Sequence, residues 1–283
     1  MKIAQGGCVT SEIIKYASRN NDMDATPFMY FPCMVNVEKE GLNIPISKIY
    51  GPDYIKGKPE TSKFIERTMD MDLNRKVFPM VCNTEWDYLI IELGSLVFPT
   101  YKVYYNDKWV YSVNIEAPSC YDLIGLKYER VELTDDIVYK GLEDLAVALR
   151  DKLDPSKIII FRDTEPKFYM TDEGTVHVYP KNVWEYLDII KLNKYVDYLH
   201  SVLPEAKIFQ SPSLQISVSL DGNPRHVTEE SKLLQGLTFR EFLTNEDLTK
   251  EISEASVALQ KTLQEKLVLD PIVLIRKELY GSY

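Results

Sequence analysis

Hydrophobic and polar positions alternate along this chain in blocks of two kinds. Short strand-like runs occur at 2–5, 87–93, 157–161 and 206–209. The later ones are nearly continuous in apolar, often β-branched residues, such as Lys157-Ile158-Ile159-Ile160-Phe161. Runs of that sort suit parallel strands covered on both faces. Between them lie helical patterns. Residues 61–74 open on a Thr cap; 142–153 is amphipathic and stops before Asp154-Pro155; 183–203 is amphipathic and stops before Pro204. Strands alternating with helices in this way predict a doubly wound α/β sheet.

Three stretches depart from the alternation. Residues 101–113 form two aromatic, β-branched runs around Asn106-Asp107, which predicts a β-hairpin inserted between the second and third strong strands. Residues 27–37 are apolar and aromatic but contain Pro32, which fits an edge strand or a buried loop. Residues 245–283 read as one or two helices split at Asp270-Pro271. No repeat, low-complexity segment or linker stands out. The expectation is therefore one α/β domain over 1–283, with a hairpin insert at about 100–114 and a helical extension at about 245–283.

Composition narrows the function. At 283 residues and 45% hydrophobic, the chain can bury a large core. Its formal net charge of -10 argues against nucleic-acid and anionic-membrane partners. Lys2 is followed by Ile3-Ala4-Gln5-Gly6-Gly7 without the apolar core of a secretion signal, and no stretch is long and apolar enough to span a membrane. A cytoplasmic location is expected. The cysteines Cys8, Cys33, Cys82 and Cys120 are widely spaced, which supports neither a disulfide framework nor a metal site. No dinucleotide or P-loop glycine motif follows a strand. The nineteen tyrosines fit half-buried surface aromatics or an elongated binding cleft.

The candidate chemistry begins at residue 6. Gly6-Gly7 ends the first strand-like run, Cys8 follows at once, and Thr10-Ser11 leads an apolar-periodic stretch. A thiol at such a strand-to-helix turn feels the helix dipole and the orphan N–H groups, which favour a thiolate and can stabilise an oxyanion. The bland alternative is a small buried hydrophobe. In an open parallel sheet, ligands bind beyond the carboxyl ends of the strands. Cys8, Gly94-Ser95 and Arg162-Asp163 each follow a strand, so topology gathers them on one rim. Of the three histidines, His177 sits in an alternating strand-like run and His200 in a helix; both suit structural or surface roles. His226 lies in a loop after the last strand region, five residues beyond Asp221 and just before a helical pattern at 229–242. That placement suits a base with an orienting carboxylate.

These residues carry a family resemblance. Gly6-Gly7-Cys8-Val9-Thr10 resembles the first block of SGNH/GDSL hydrolases, Gly-Asp-Ser-x-[Thr/Ser], with Cys8 at the serine position. Residues 87–94 resemble the strand of their third block, and 221–230 resembles their last block, where an Asp and a His precede a helix. The chain is more similar still to a bacterial branch opening Gly-Ser-Cys-Val-[Ser/Thr]-Arg-Asp, largely uncharacterised and including neighbours of capsule and surface-polysaccharide genes. Further points of similarity are the helix around 64–72, Trp86 through Leu93, and Lys194-Tyr195-Val196-Asp197-Tyr198. Three departures stand out. Gly7 replaces a Ser or Asp, the third-block Asn is absent after Gly94, and four residues separate Asp221 from His226 where the family has two.

The resemblance implies a three-layer flavodoxin-like sheet of SGNH type. It also implies an acyltransferase or esterase with Cys8 as nucleophile, His226 as base and Asp221 as orienter. Backbone N–H groups around Gly7, Gly94 and Ser95 are then the oxyanion donors. The expected partners are a small acyl donor, with acyl-CoA as a possible donor substrate and no tightly bound cofactor, and a sugar or polysaccharide acceptor. Arg162, Lys167 and Arg225 are candidates for the donor's phosphates, against the plain alternative that charged loop residues are only solvated. The rival expectation is a non-catalytic carbohydrate-binding or assembly protein on the same scaffold.

Overall fold

In a computed structural model, residues 1–27, 40–46, 59–113, 121–122, 125–218, 220 and 224–268 are described. The expectations for 28–37 and for 269–283 lie outside them. The backbone divides into two compact units, each assembled from separate stretches of chain: 1–11, 24–162 and 192–208 in the first, and 12–23, 163–191 and 209–283 in the second.

The first unit is built on a five-stranded parallel sheet flanked by helices. Its strands are β1 (Lys2–Gln5), β2 (Asp24–Pro27), β3 (Tyr88–Ile91), β7 (Ile158–Arg162) and β10 (Lys207–Gln210), in spatial order β10-β7-β3-β1-β2. Counted along the chain this is 2-1-3-4-5, the flavodoxin-like order. Ala4 pairs with Thr26 on one side and Leu89 on the other, and Ile90 pairs with Ile159. The central strands are apolar throughout because both faces are covered. Ile3, Ala4, Ile90, Ile91 and 158–161 are all buried.

The covering helices include α4 (Asp135–Lys152) and part of α5 (Trp184–Val202), with Leu142, Leu145, Leu149, Tyr195 and Leu199 in the core. The α4 sequence fits its dipole, with Asp135 and Asp136 in the first turn and Arg150 and Lys152 in the last. The helices α2 (Pro59–Leu73) and α3 (Val77–Cys82) precede β3.

The expected hairpin is present as β4 (Thr100–Tyr105) and β5 (Lys108–Ser112). Asn106 and Asp107 take φ of 47° and 62°, the left-handed pair that a two-residue hairpin turn requires. A third strand, β6 (Lys127–Val131), pairs antiparallel with β4, so the insert is a three-stranded sheet rather than a bare hairpin. A buried polar network ties it to α2. The Asp72 carboxylate accepts from the Ser112 hydroxyl, from Val113 N at 3.2 Å and from Arg75 Nη1 at 3.2 Å.

The second unit holds a small sheet of β8 (Phe168–Met170), β9 (Val176–Val178) and β11 (Ile216–Ser217), in order β11-β8-β9. It also holds α6 (Glu229–Thr244) and α7 (Thr249–Lys266). Val176, Ile216, Leu234, Leu248 and Leu259 form its core. Arg240 on α6 secures the 12–23 stretch, donating to Asp22 at 2.7 Å and to the Ala17 carbonyl at 3.2 Å.

Candidate functional site

Two residues, Gly6 and Gly7, separate the end of β1 from the helix α1 (Cys8–Ala17), and Cys8 is its first residue. Gly7 makes the turn at φ +106°, a conformation open to glycine and costly for residues with a Cβ. Glu92, the residue after β3, closes the turn from behind and is only 4% exposed. Its Oε2 accepts from the Thr10 amide at 3.2 Å and the Thr10 hydroxyl at 2.9 Å. A Cβ on Gly7 would fall 2.1 Å from that same oxygen. Gln5 Oε1 and the Gly6 carbonyl flank the Thr10 hydroxyl at 2.8 and 2.9 Å. Cys8 itself is half-buried and outside any disulfide.

Gly94 and Ser95 open a short 3₁₀ turn, Gly94–Val97, beyond the carboxyl end of β3. Both are buried, and the Ser95 hydroxyl has no hydrogen-bond partner among the described residues. Cys8, Gly94 and Arg162 thus follow or end three neighbouring parallel strands at their carboxyl ends. Arg162 engages Asp197 of α5 with Nε and Nη2, at 3.1 and 3.2 Å.

His226 and Arg225 belong to the second unit. Their loop is held to β11 by backbone, with Val218 N donating to the His226 carbonyl at 3.0 Å. Arg225 is 8% exposed and donates through Nε to Asp163 at 2.8 Å, so its charge is spent inside the fold on the residue following β7. Burial lowers the proton affinity of the His226 ring below the usual histidine range. The Glu12 carboxylate opposes that shift, and the cations Arg225 and Lys232 reinforce it. Glu12 lies on α1 and ion-pairs with Lys232 at 3.2 Å. Asp221 lies outside the described residues. His177 stacks on Tyr169 at 5.5 Å and its Nε2 meets the Thr175 hydroxyl at 3.1 Å, a structural role; His200 ends in the last turn of α5.

A lowered proton affinity leaves the His226 imidazole neutral at pH 7, the form a general base needs. The sign of two substitutions follows. Glu12→Gln removes the charge that favours protonation and moves the His226 titration further down; Lys232→Met removes an opposing cation and moves it up. An NMR titration of the imidazole reads both, and a midpoint at or above that of a free histidine contradicts the burial. Linkage adds a stability effect. Between the two midpoints the unfolded chain binds the proton that the folded one refuses, so stability falls as pH drops below about 6.5.

Among the described residues no group of three His, Cys, Asp or Glu side chains is arranged to hold a metal ion. The other described thiol, Cys82, lies past the amino ends of the strands. It lines a cavity of about 580 Å³ with Lys2, Trp86, Asp87, Lys152 and Lys157, and burial pushes its thiol up.

Two residues of this region have no counterpart in the sequence-based expectations: Glu92 and Glu12. A signal for Glu92 exists in the chain, since it is the single charge in Tyr88-Leu89-Ile90-Ile91-Glu92-Leu93. A carboxylate closing a buried strand needs partners.

No family model matches this chain, and no curated protein sequence matches it. What the backbone defines is a class. The first unit is an open, doubly wound α/β fold with flavodoxin-like strand order, and its helix α1 begins on a cysteine at the carboxyl edge of the sheet. No helix among the described residues is long and apolar enough to cross a membrane.

Proposed function

We propose that the protein is an SGNH-like acyltransferase or esterase that uses Cys8 as its nucleophile and moves an acyl group to or from a sugar-containing acceptor. One observation carries the reading. The thiol stands at the first position of α1, directly after a positive-φ glycine turn at the carboxyl edge of a parallel sheet. His226, neutral at pH 7, serves as the base.

In the first half-reaction the imidazole takes the Cys8 proton and Sγ bonds to the acyl carbonyl carbon. The tetrahedral oxyanion collapses, and the donor's thiol or alcohol leaves with the proton returned by His226. An acyl-CoA donor would exchange one thioester for another. A sugar hydroxyl or water then gives its proton to His226, bonds to the carbonyl carbon and releases Cys8. The proposed donors to the oxyanion are the Cys8, Gly7, Gly94 and Ser95 amides and the Ser95 hydroxyl. The Thr10 amide is not among them, because Glu92 holds it.

The test is intact-mass detection of an acyl adduct on Cys8 with short-chain acyl-CoA or an aryl ester. Cys8→Ala should abolish adduct and turnover. His226→Ala should slow adduct formation by about 10²–10⁴-fold. Turnover unchanged in Cys8→Ala overturns the reading.

A carbohydrate-binding role without catalysis is the second reading, favoured by one face of the three-stranded sheet. There Lys102 Nζ lies 4.3 Å from the Trp109 ring centroid and Lys127 Nζ 5.4 Å from that of Tyr104. Glycan binding by Cys8→Ala without any adduct in the wild type would select it.

A further inference from the structure

We propose that Glu92 is a positioning residue for Cys8, occupying the anion-binding end of α1 so that the thiol stays protonated until a base acts on it. The proposal rests on the reading of Cys8 as the nucleophile. The contact it is argued from, among Gly7, Thr10 and Glu92, lies within the first unit.

The first amides of a helix lack intrahelical partners, and their shared positive field attracts anions. In α1 that place is taken from within. Glu92 Oε2 accepts from the Thr10 amide at 3.2 Å and also from its hydroxyl at 2.9 Å. The carboxylate comes this close because residue 7 has no side chain; a Cβ there would lie 2.1 Å from Oε2 and 2.5 Å from Oε1. Gly7, Glu92 and Thr10 therefore interlock, and the interlock sets the direction in which α1 leaves the sheet with Cys8 at its start.

The electrostatic consequence is specific. A thiol at a bare helix N-terminus is driven towards thiolate by the helix field. Here a buried carboxylate stands against the same turn and opposes that field. One helical turn further along α1 the next ionisable group is Glu12, also an anion and ion-paired to Lys232 at 3.2 Å. The Gly6-Gly7 loop and the Gly94–Val97 turn contribute no charge. Glu92 against this turn and Glu12 further along α1 are both acidic, and the Glu92 carboxylate keeps the nucleophile quiet until a base such as His226 acts.

The experiment is the pH dependence of Cys8 alkylation by iodoacetamide, followed by peptide mapping, in wild type, Glu92→Gln, Glu92→Asp and His226→Ala. Glu92→Gln keeps an acceptor for Thr10 and loses the charge. It should move the Cys8 midpoint down by about one pH unit and raise labelling at pH 7 up to about tenfold. Glu92→Asp keeps the charge and should shift it less. An unmoved midpoint in folded Glu92→Gln, or an equal shift in Glu92→Asp, overturns the proposal. Should Glu92→Gln fail to fold by circular dichroism, His226→Ala decides. A midpoint at or above the ordinary thiol value of about 8.5 supports the filled helix end, and one below about 7 overturns it. The difference between wild type and His226→Ala separately reads the Cys8–His226 pairing. A failure of the pairing therefore leaves the Glu92 result standing or falling on its own.

Discussion

Gly7→Ala should cost about 3 kcal/mol or more of folding stability, a large share of the roughly 5–15 kcal/mol a domain possesses. Two causes add. The backbone at φ +106° is strained for any residue with a Cβ, by about 1–3 kcal/mol. The new methyl also meets the Glu92 carboxylate at 2.1 Å, where overpacking of a buried site costs a further 1–3 kcal/mol. The loss should appear as a lower urea midpoint with an unchanged slope. It should come with disturbed Cys8 alkylation, because the relief available is for the carboxylate or the start of α1 to move. A loss below about 1 kcal/mol would show that residue 7 does not hold this conformation.

Asp163→Ala should be comparably severe. Asp163 and Arg225 form a buried ion pair at 2.8 Å, with side chains 10% and 6% exposed. Removing one partner leaves the other charge in a poorly solvated place, an effect of about 3–5 kcal/mol. The replacement of both by apolar residues of similar volume, Asp163→Leu with Arg225→Met, should recover most of that loss, since the desolvation of two charges is then avoided. Urea unfolding of the single and double variants tests both statements. The single variant bears on function as well, because Arg225 adjoins His226 and its anchor fixes the loop. A stability change under 1 kcal/mol in Asp163→Ala would mean that the pair is solvated.

The parts of the fold that were legible in the chain are those where local pattern and burial agree. The strands β1, β3, β7 and β10 coincide with the expected runs to within a residue or two, because strands covered on both faces must be apolar on both faces. The Asn106-Asp107 turn announced its hairpin because few residue pairs tolerate two left-handed conformations. The strands without that agreement were missed. β6 reads Lys-Tyr-Glu-Arg-Val and lies at a sheet edge with three of its five residues exposed, so no apolar run marks it. β2 is Asp-Ala-Thr-Pro, an edge strand ending on a proline. β8 and β11 have three and two residues, too short for a period to register, whereas β9 coincides with the alternating run around His177.

The helix α4 starts at Asp135, seven residues before the expected 142, because Asp135 and Asp136 suit a first turn but interrupt no apolar stripe. Of the site, the Gly7-Cys8 turn was visible from the local order of residues, Gly6-Gly7-Cys8 between a strand-like run and a helical pattern. The Glu92 contact was not, since it joins residues 82 apart through tertiary packing. The Arg225–Asp163 pair likewise spans 62 residues and turns an expected solvated cation into part of an internal brace.

The way the two units share the chain has a consequence for synthesis. The parallel sheet of the first unit takes its strands from both ends of a stretch more than 200 residues long, and β10, at one edge, is the last made. Until Lys207–Gln210 has left the ribosome, the flank of β7 stays an open template. The second unit interrupts this order, taking residues 12–23 from the opening of the chain and 209 onwards from its later part. No single cut between residues therefore releases either unit whole. A truncation at any point before residue 208 leaves a nascent sheet with an exposed edge, the kind of species that chaperones retain and proteases remove.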